Sequence, residues 1–189
     1  MEVILASQSP RRLTLLQGAG LAVEVRPQHI DETISHGETV SETVSRLSRE
    51  KALACAAAGD IPIIAADTLV AIHGRAFGQP ADLDEARQML EELSGQTHQV
   101  LTGVAVRIGE LMLCEQVATS VRFRKLCSTE ISTYLAHNEV LDKAGGYAVQ
   151  GGAASFIEAI DGPLDNVIGL PICTTMRMIE QIKAMEQKR

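Results

Sequence analysis

Apolar positions recur along this chain with two different periods, and together they predict strands alternating with helices. Apolar side chains three to four residues apart predict helices over about 10–18, 41–58, 83–93, 129–136 and 171–186. Short apolar or every-second-residue runs predict strands over about 2–6, 22–26, 62–66, 69–72, 98–107, 111–124, 146–149 and 155–160. The long run from Leu111 alternates best near its end. There Val117, Thr119, Val121 and Phe123 share one face, and Arg122 and Arg124 take the other. His73-Gly74-Arg75 predicts a hairpin tip. Asp82 with Glu85 three residues later marks a helix start, and Ser94-Gly95 closes that helix. No repeat, low-complexity tract or clear linker interrupts the alternation. Hairpin-linked strands beside helical crossovers predict an α/β fold with a mixed, twisted sheet flanked by helices.

Several stretches break the pattern. The apolar run Ile4-Leu5-Ala6 ends in Ser7-Gln8-Ser9-Pro10-Arg11-Arg12. Ser9 is placed as an N-cap and Pro10 as the first helical residue, so both arginines fall in the first turn. Cations there oppose the helix dipole. Either they are solvated, or the turn holds an anion. In the second helix Val40, Val44, Leu47, Ala54 and Ala58 form one stripe, with Lys51 in its middle. Leu53 lies off the stripe and predicts a second buried side. An inward lysine either snorkels to water or meets an anion.

Asp67-Thr68 interrupts the apolar run from Pro62 to Ile72. A carboxylate in a central strand needs a partner, a metal or a catalytic task, unless it ends the strand and caps a turn. Four glycines lie between Asp142 and Gly152, around a short predicted strand. Such a segment either lets backbone approach a ligand closely or simply turns.

Composition narrows the classes. The chain has 189 residues, 46% hydrophobic and 22% charged, which is the balance of an ordinary globular protein of one domain. A net charge of -7 argues against nucleic acid and anionic membranes as partners, so a phosphate site must be a local cationic cluster. Scarce aromatics also weaken a base-stacking single-strand binder. No apolar run approaches the roughly 20 residues of a membrane span, and no signal-peptide pattern opens the chain. The expected compartment is the cytosol. Cys55, Cys114, Cys127 and Cys173 form no C-x-x-C pair and read as small core residues in a reducing compartment. The five histidines lack zinc-site spacing. There is no Walker loop, and the Gly18–Gly20 segment follows a helix and lacks the third glycine of a dinucleotide fingerprint.

The segments LASQSPRR, SRLSREKA, AADTLV, ARQMLEELSGQTHQVLTGVAV, LDKAGGYAVQG and VIGLP occur here in this order. In order and spacing they resemble the Maf family of nucleoside triphosphate pyrophosphatases, over residues from about 3 to 180. The resemblance implies one Maf-like domain over 1–189, built of two lobes with a nucleotide cleft between them. It also implies a divalent metal ion, Mg²⁺ or Mn²⁺, and attack of water that releases pyrophosphate and leaves a nucleoside monophosphate. By the same resemblance Ser7, Arg12 and Lys51 are phosphate-binding positions, Asp67 is the general base, and Glu32 touches the metal. Whether Asp67 acts as base or mainly as metal ligand is left open.

Arg11, Thr68 and Gln150 match the pyrimidine-type members, whereas the 7-methyl-GTP type carries Trp, Gln and Glu there. The implied substrates are dTTP and UTP. One position departs from the pattern: the family's lysine after the hairpin is Gln79 here, which keeps a donor and removes a charge. Arg75 and Lys143 are the candidates to supply it. Two other readings stay open. One is a nucleotide-binding regulator of cell-division arrest with incidental hydrolysis, which Gln79 favours. The other is a pyrophosphatase for purine or modified nucleotides, which Thr68 and Gln150 oppose. A homodimer is compatible with the sequence.

Overall fold

In the computed structural model, which describes residues 1–56 and 59–188, the first strand is β1 (Glu2–Leu5), and its residues Val3, Ile4 and Leu5 are all fully buried. Burial on both faces is the signature of a parallel strand covered by helices on either side. The remaining elements are α1 (Pro10–Gly18), β2 (Ala22–Val25), α2 (Val40–Ala54), β3 (Ile63–Ile72), β4 (Arg75–Phe77), α3 (Leu83–Leu93), β5 (Thr97–Ile108), β6 (Leu111–Phe123), α4 (Ser128–His137), β7 (Ile157–Asp161), α5 (Leu164–Ile168) and α6 (Ile172–Glu186). The strands hydrogen-bond in the order β2-β1-β3-β5-β6-β7, with β4 added to β3. β1 runs parallel to β2 and β3, while β3/β4 and β6/β7 are antiparallel. The sheet is therefore mixed, as the alternation of periods predicts.

The chain divides into two compact units. The first comprises Met1–Asp67, Thr102–Val117 and Gly169–Arg189. Its strands sort their side chains by period two. Val3, Leu5, Ile64, Ala66, Val104 and Val106 cluster with Leu16 of α1 and Met178, Ile179 and Ile182 of α6. Ile4, Ala6, Ile63, Ala65 and Ala105 cluster with Ala52 of α2 and with Cys55. This second face is built from smaller residues because α2 comes very close. A Cβ added at Gly103 would stand 2.2 Å from the Val44 carbonyl oxygen, so only glycine fits there. Asp67 continues the odd-numbered series Ile63, Ala65 and so belongs to the face that α2 covers.

The second unit comprises Thr68–Leu101 and Ala118–Ile168. Val70, Ile72, Phe77, Val100, Val121 and Phe123 from the strands pack with Leu90 and Leu93 of α3, and with Ile131, Tyr134 and Leu135 of α4. Asp82 caps α3, its Oδ1 accepting from the Glu85 amide at 2.8 Å, as its position predicts.

Several expectations are corrected. The predicted strands at 62–66 and 69–72 are one continuous strand, because the polar pair at 67–68 sits within β3 rather than ending it. His73 and Gly74 both have positive φ and form the turn, while Arg75 already belongs to β4. The strand predicted at 146–149 is absent. Gly145 (φ 72°) and Gly146 (φ 70°) instead carry the chain through a short 3-10 turn. Another 3-10 turn holds Gly152–Phe156, which moves the last strand to Ile157–Asp161.

Leu53 is 56% exposed, and Ala54 is exposed too, so α2 has no second buried side. Its buried face is Thr43, Val44, Leu47, Ser48, Lys51 and Ala52, and the helix stops at Ala54, with extended backbone at Cys55, short of the expected end at 58; residues 57–58 lie outside the described residues. Of the four cysteines only Cys55 is buried. Cys114 is half-buried, and Cys127 and Cys173 are exposed at the start of α4 and in α6. Both exposed positions lie on helices whose packed faces are formed by other residues.

Candidate active site

The first unit concentrates the predicted charged residues around the end of β1 and the middle of β3, where Asp67 lies. After Ala6 the chain leaves the sheet, and Ser7, only 8% exposed, turns it toward α1. The Ser7 hydroxyl oxygen accepts from the Ser9 amide at 3.2 Å and from the Arg12 guanidinium at 3.1 Å. Ser9 stands at the N-cap position with Pro10 following, but its side chain makes no cap bond. The amino end of α1 thus lacks the expected cap, and Arg11 and Arg12 occupy its first turn.

Arg12 is anchored rather than solvated. Its Nε donates to the Gly169 carbonyl at 2.8 Å. Desolvation of the guanidinium pulls its pKa below the ordinary arginine value; the charge of Asp67 opposes that shift, neighbouring Arg11 adds to it, and Glu32 opposes it. The Gly169 carbonyl is a site feature that residue-type reasoning misses. Its signal was the VIGLP segment, where Gly169 adopts φ 129° just before α6.

Lys51 is the inward lysine of α2, and it meets anions. It is 7% exposed, and its Nζ lies 2.6 Å from Asp67 Oδ1 and 2.9 Å from Glu32 Oε1. Asp67 is itself 6% exposed, whereas the Glu32 side chain is 53% exposed. Period two in β3 and the 3.6-residue repeat of α2 aim Asp67 and Lys51 at one another. Glu32 arrives from the segment before α2, and a second cation of the same helix holds that segment in place. Arg46 donates to the Thr33 carbonyl at 3.0 Å and pairs with Glu38 at 2.7 Å. Arg46 holds the Glu38 carboxyl at a pKa of about 2. This positioning role of Arg46 was not read from the sequence, although the residue lies inside the SRLSREKA segment.

Asp67 and Glu32 present two hard oxygen donors converging on one point. That donor set fits an oxygen-loving divalent cation, since Mg²⁺ commonly takes one or two carboxylates and completes its shell with water and phosphate oxygens. Among the described residues no group of three or more His, Cys, Asp and Glu side chains converges. Substrate oxygens or water would therefore have to complete the shell.

Thr68, Gln79 and Gln150 belong to the second unit. Thr68 follows Asp67 in β3 and is half-buried. Gln79 is exposed, and its amide makes one long hydrogen bond, 3.4 Å, to the Asp142 carbonyl. Neither candidate for the missing charge is unengaged. Arg75 pairs with Glu92 at 2.9 Å and lies over the Phe77 ring, and Lys143 pairs with the Asp142 carboxylate. Gln150 is exposed on the turn before Gly152.

A family model described as Maf-like protein matches residues 2–182. The chain belongs to the Maf family. Curated relatives match it along nearly their whole length. A dTTP/UTP pyrophosphatase of Anaeromyxobacter dehalogenans (strain 2CP-1) is 45% identical over 183 residues, covering 95% of this chain and 93% of that protein. The dTTP/UTP pyrophosphatase of Geobacter sulfurreducens is 44% identical, covering 97% of each. That of Escherichia coli (strain K12) is 42% identical over 187 residues, covering 98% and 95%. Among solved structures, a HAM1 protein from Coxiella burnetii superposes with a TM-score of 0.50 at 18% identity, over the full length of both chains. The Maf chain thus shares its α/β fold with that protein. None of its helices, among the described residues, is long and apolar enough to cross a membrane.

Proposed function

We propose that this chain is a nucleoside triphosphate pyrophosphatase that hydrolyses dTTP and UTP to the monophosphate and pyrophosphate. The observation that carries the reading is the buried Asp67 carboxylate, 2.6 Å from the Lys51 ammonium and under the influence of the Arg12 charge. A triphosphate brings roughly three to four negative charges, which several fixed cations and a metal must offset. Arg12, braced by Ser7 and the Gly169 carbonyl, and Lys51 supply cations for the phosphate oxygens. Gln79 adds a neutral donor. Membership in a family whose relatives are named dTTP/UTP pyrophosphatases supports the substrate class.

The chemistry divides among these residues. Asp67 orients a water and accepts its proton as the water oxygen bonds to the α-phosphorus. The bond from that phosphorus to the bridging oxygen breaks, and pyrophosphate leaves with the electron pair. Asp67 and Glu32 would hold a divalent cation, Mg²⁺ or Mn²⁺, which would supply charge neutralisation of the phosphates when bound. Arg11, Thr68 and Gln150 select the pyrimidine base. The acidic protein and its local cationic cluster suit a small nucleotide in the cytosol, not a nucleic acid or a membrane.

The test is a panel of dTTP, UTP, CTP, dATP, GTP and 7-methyl-GTP with Mg²⁺ or Mn²⁺, analysed for monophosphate and pyrophosphate. Turnover of dTTP and UTP to these two products is expected. Release of inorganic phosphate alone, or binding of dTTP without any product, would overturn the assignment. The latter outcome would favour the nucleotide-binding regulator.

A further inference from the structure

The Lys51 ammonium lies at the point on which one oxygen of Asp67 and one of Glu32 converge, where a divalent cation bound by both of those oxygens would sit. Asp67 Oδ1 and Glu32 Oε1 lie 2.6 and 2.9 Å from the same Lys51 nitrogen. A cation bound by both oxygens would stand within roughly 2.0–2.6 Å of each, so it and the ammonium cannot share the position. Two cations that close would also repel strongly in a site where Lys51 and Asp67 are nearly shielded from water. We propose that Lys51 is an internal competitor for the metal, a stand-in cation that keeps the two carboxylates paired until a triphosphate draws the ammonium away. This rests on the reading of Asp67 and Glu32 as metal ligands.

The consequence is positive coupling between the two ligands. Without nucleotide, the Lys51 ammonium leaves the carboxylates only by giving up two charge-assisted contacts, so the free protein binds metal weakly. A triphosphate offers the ammonium new anionic oxygens and simultaneously offers the metal further ligands. Each ligand then raises affinity for the other by the same factor. The arrangement also protects the fold: Asp67 at 6% exposure is never left as an unpaired buried charge.

The test measures Mn²⁺ binding to the full chain by electron paramagnetic resonance, with no nucleotide present. Lys51→Met is expected to bind Mn²⁺ at least about tenfold more tightly than the wild type, and adding Glu32→Gln should abolish that gain. Arg12→Met is the control, because Arg12 acts on the same carboxylates through its charge while its side chain is anchored to Gly169 and Ser7. An equal gain in Arg12→Met would reduce the effect to general charge and overturn the competition. No gain in a folded Lys51→Met would overturn it as well. A measurement on the wild type covers the case in which Lys51→Met does not fold. With ¹³C-labelled lysine, the Lys51 Cε resonance should move as Mg²⁺ saturates the protein, and a stationary resonance overturns the proposal. If these tests fail while dTTP still yields pyrophosphate, the pyrophosphatase reading stands and only the competition falls.

Discussion

His98 Nε2 lies 2.7 Å from the Tyr147 hydroxyl, and both rings are buried in the core of the second unit. Each ring also meets Phe123 edge to face, with centroids 4.9 Å away in both cases. Tyr147 thereby fastens the glycine-rich segment to β5. The same segment is held at further points: the Gly145 amide donates to the Gly78 carbonyl at 2.9 Å, Ala148 to the Tyr134 hydroxyl at 3.1 Å, and Gly152 to Asn138 Oδ1 at 3.3 Å. Gln150 rides on this framed stretch.

Tyr147→Phe keeps the ring and removes the hydroxyl, leaving the His98 nitrogen unpaired. A loss of roughly 1–3 kcal/mol in stability is expected, read as a fall in Tm. If the frame also holds Gln150 for base recognition, the dTTP-to-dATP ratio of kcat/KM should drop about threefold. A lower Tm with an unchanged ratio would make the contact purely structural.

Burial holds the His98 pKa down at about 4, well below the usual imidazole value, and among the described residues its Nδ1 has no hydrogen-bond partner. The unfolded chain takes up a proton near pH 6.5, whereas the folded one stays neutral until about pH 4. In that window the unfolded state binds more protons, so stability falls as pH is lowered, by roughly 3 kcal/mol across it. Glu38 and Glu130, each held at about 2, lose their contributions only once the pH drops through the ordinary carboxylate range. Urea midpoints between pH 7.5 and 5 therefore isolate the histidine. His98→Gln should flatten that slope, and a slope that survives the substitution assigns it to another group.

How much of this was legible in the sequence follows from which interactions are local. The period-two and 3.6-residue repeats located α1 and α3 at their observed ends, because Pro10 and Asp82 act within one helical turn. The strand at 146–149 failed because the backbone there obeys two glycines with positive φ rather than the apolar side chains around them. Leu53 reads as inward by its residue type, yet it is 56% exposed, because α2 buries the face of Val44, Leu47, Ser48 and Lys51 instead. For the site, Lys51 and Asp67 stood out as charges at apolar positions, which is a local anomaly. Their pairing with Glu32 and the anchoring role of Arg46 are tertiary facts with no local signature, and the VIGLP segment marks Gly169 without revealing that its carbonyl braces Arg12, 157 residues away.

Asp67→Asn tests the proposed proton acceptor. The amide keeps the shape and loses the charge, so dTTP turnover should fall at least about a hundredfold. The change also leaves the Lys51 ammonium with Glu32 as its remaining carboxylate partner from this cluster, so some loss of thermal stability should accompany it. Near-normal turnover would assign Asp67 a structural role and remove it from the mechanism.

The last prediction concerns Gln79. Its amide donates to the Asp142 carbonyl at 3.4 Å, and its side chain is exposed, so replacing it disturbs little packing. A lysine at this position would bring a mobile cation that can offset charge developing on the phosphates, which an amide cannot. Gln79→Lys is expected to raise kcat/KM for dTTP and UTP by about 1 kcal/mol, roughly fivefold. Because the position is open to solvent, the gain should shrink as salt rises. Asp82 is occupied by the Glu85 amide as a helix cap, which leaves Asp84 and the Asp142 carboxylate as the nearby competitors for the new charge. Asp142 already pairs with Lys143, so capture there would first have to displace that lysine. Efficiency that stays flat at both low and high salt, with Tm unchanged, would mean that position 79 does not serve the phosphates. Arg75→Ala in the same background then locates the charge. With Arg75 bound to Glu92 and stacked on Phe77, its loss should leave activity unaltered, and a large fall would identify Arg75 as the substitute cation.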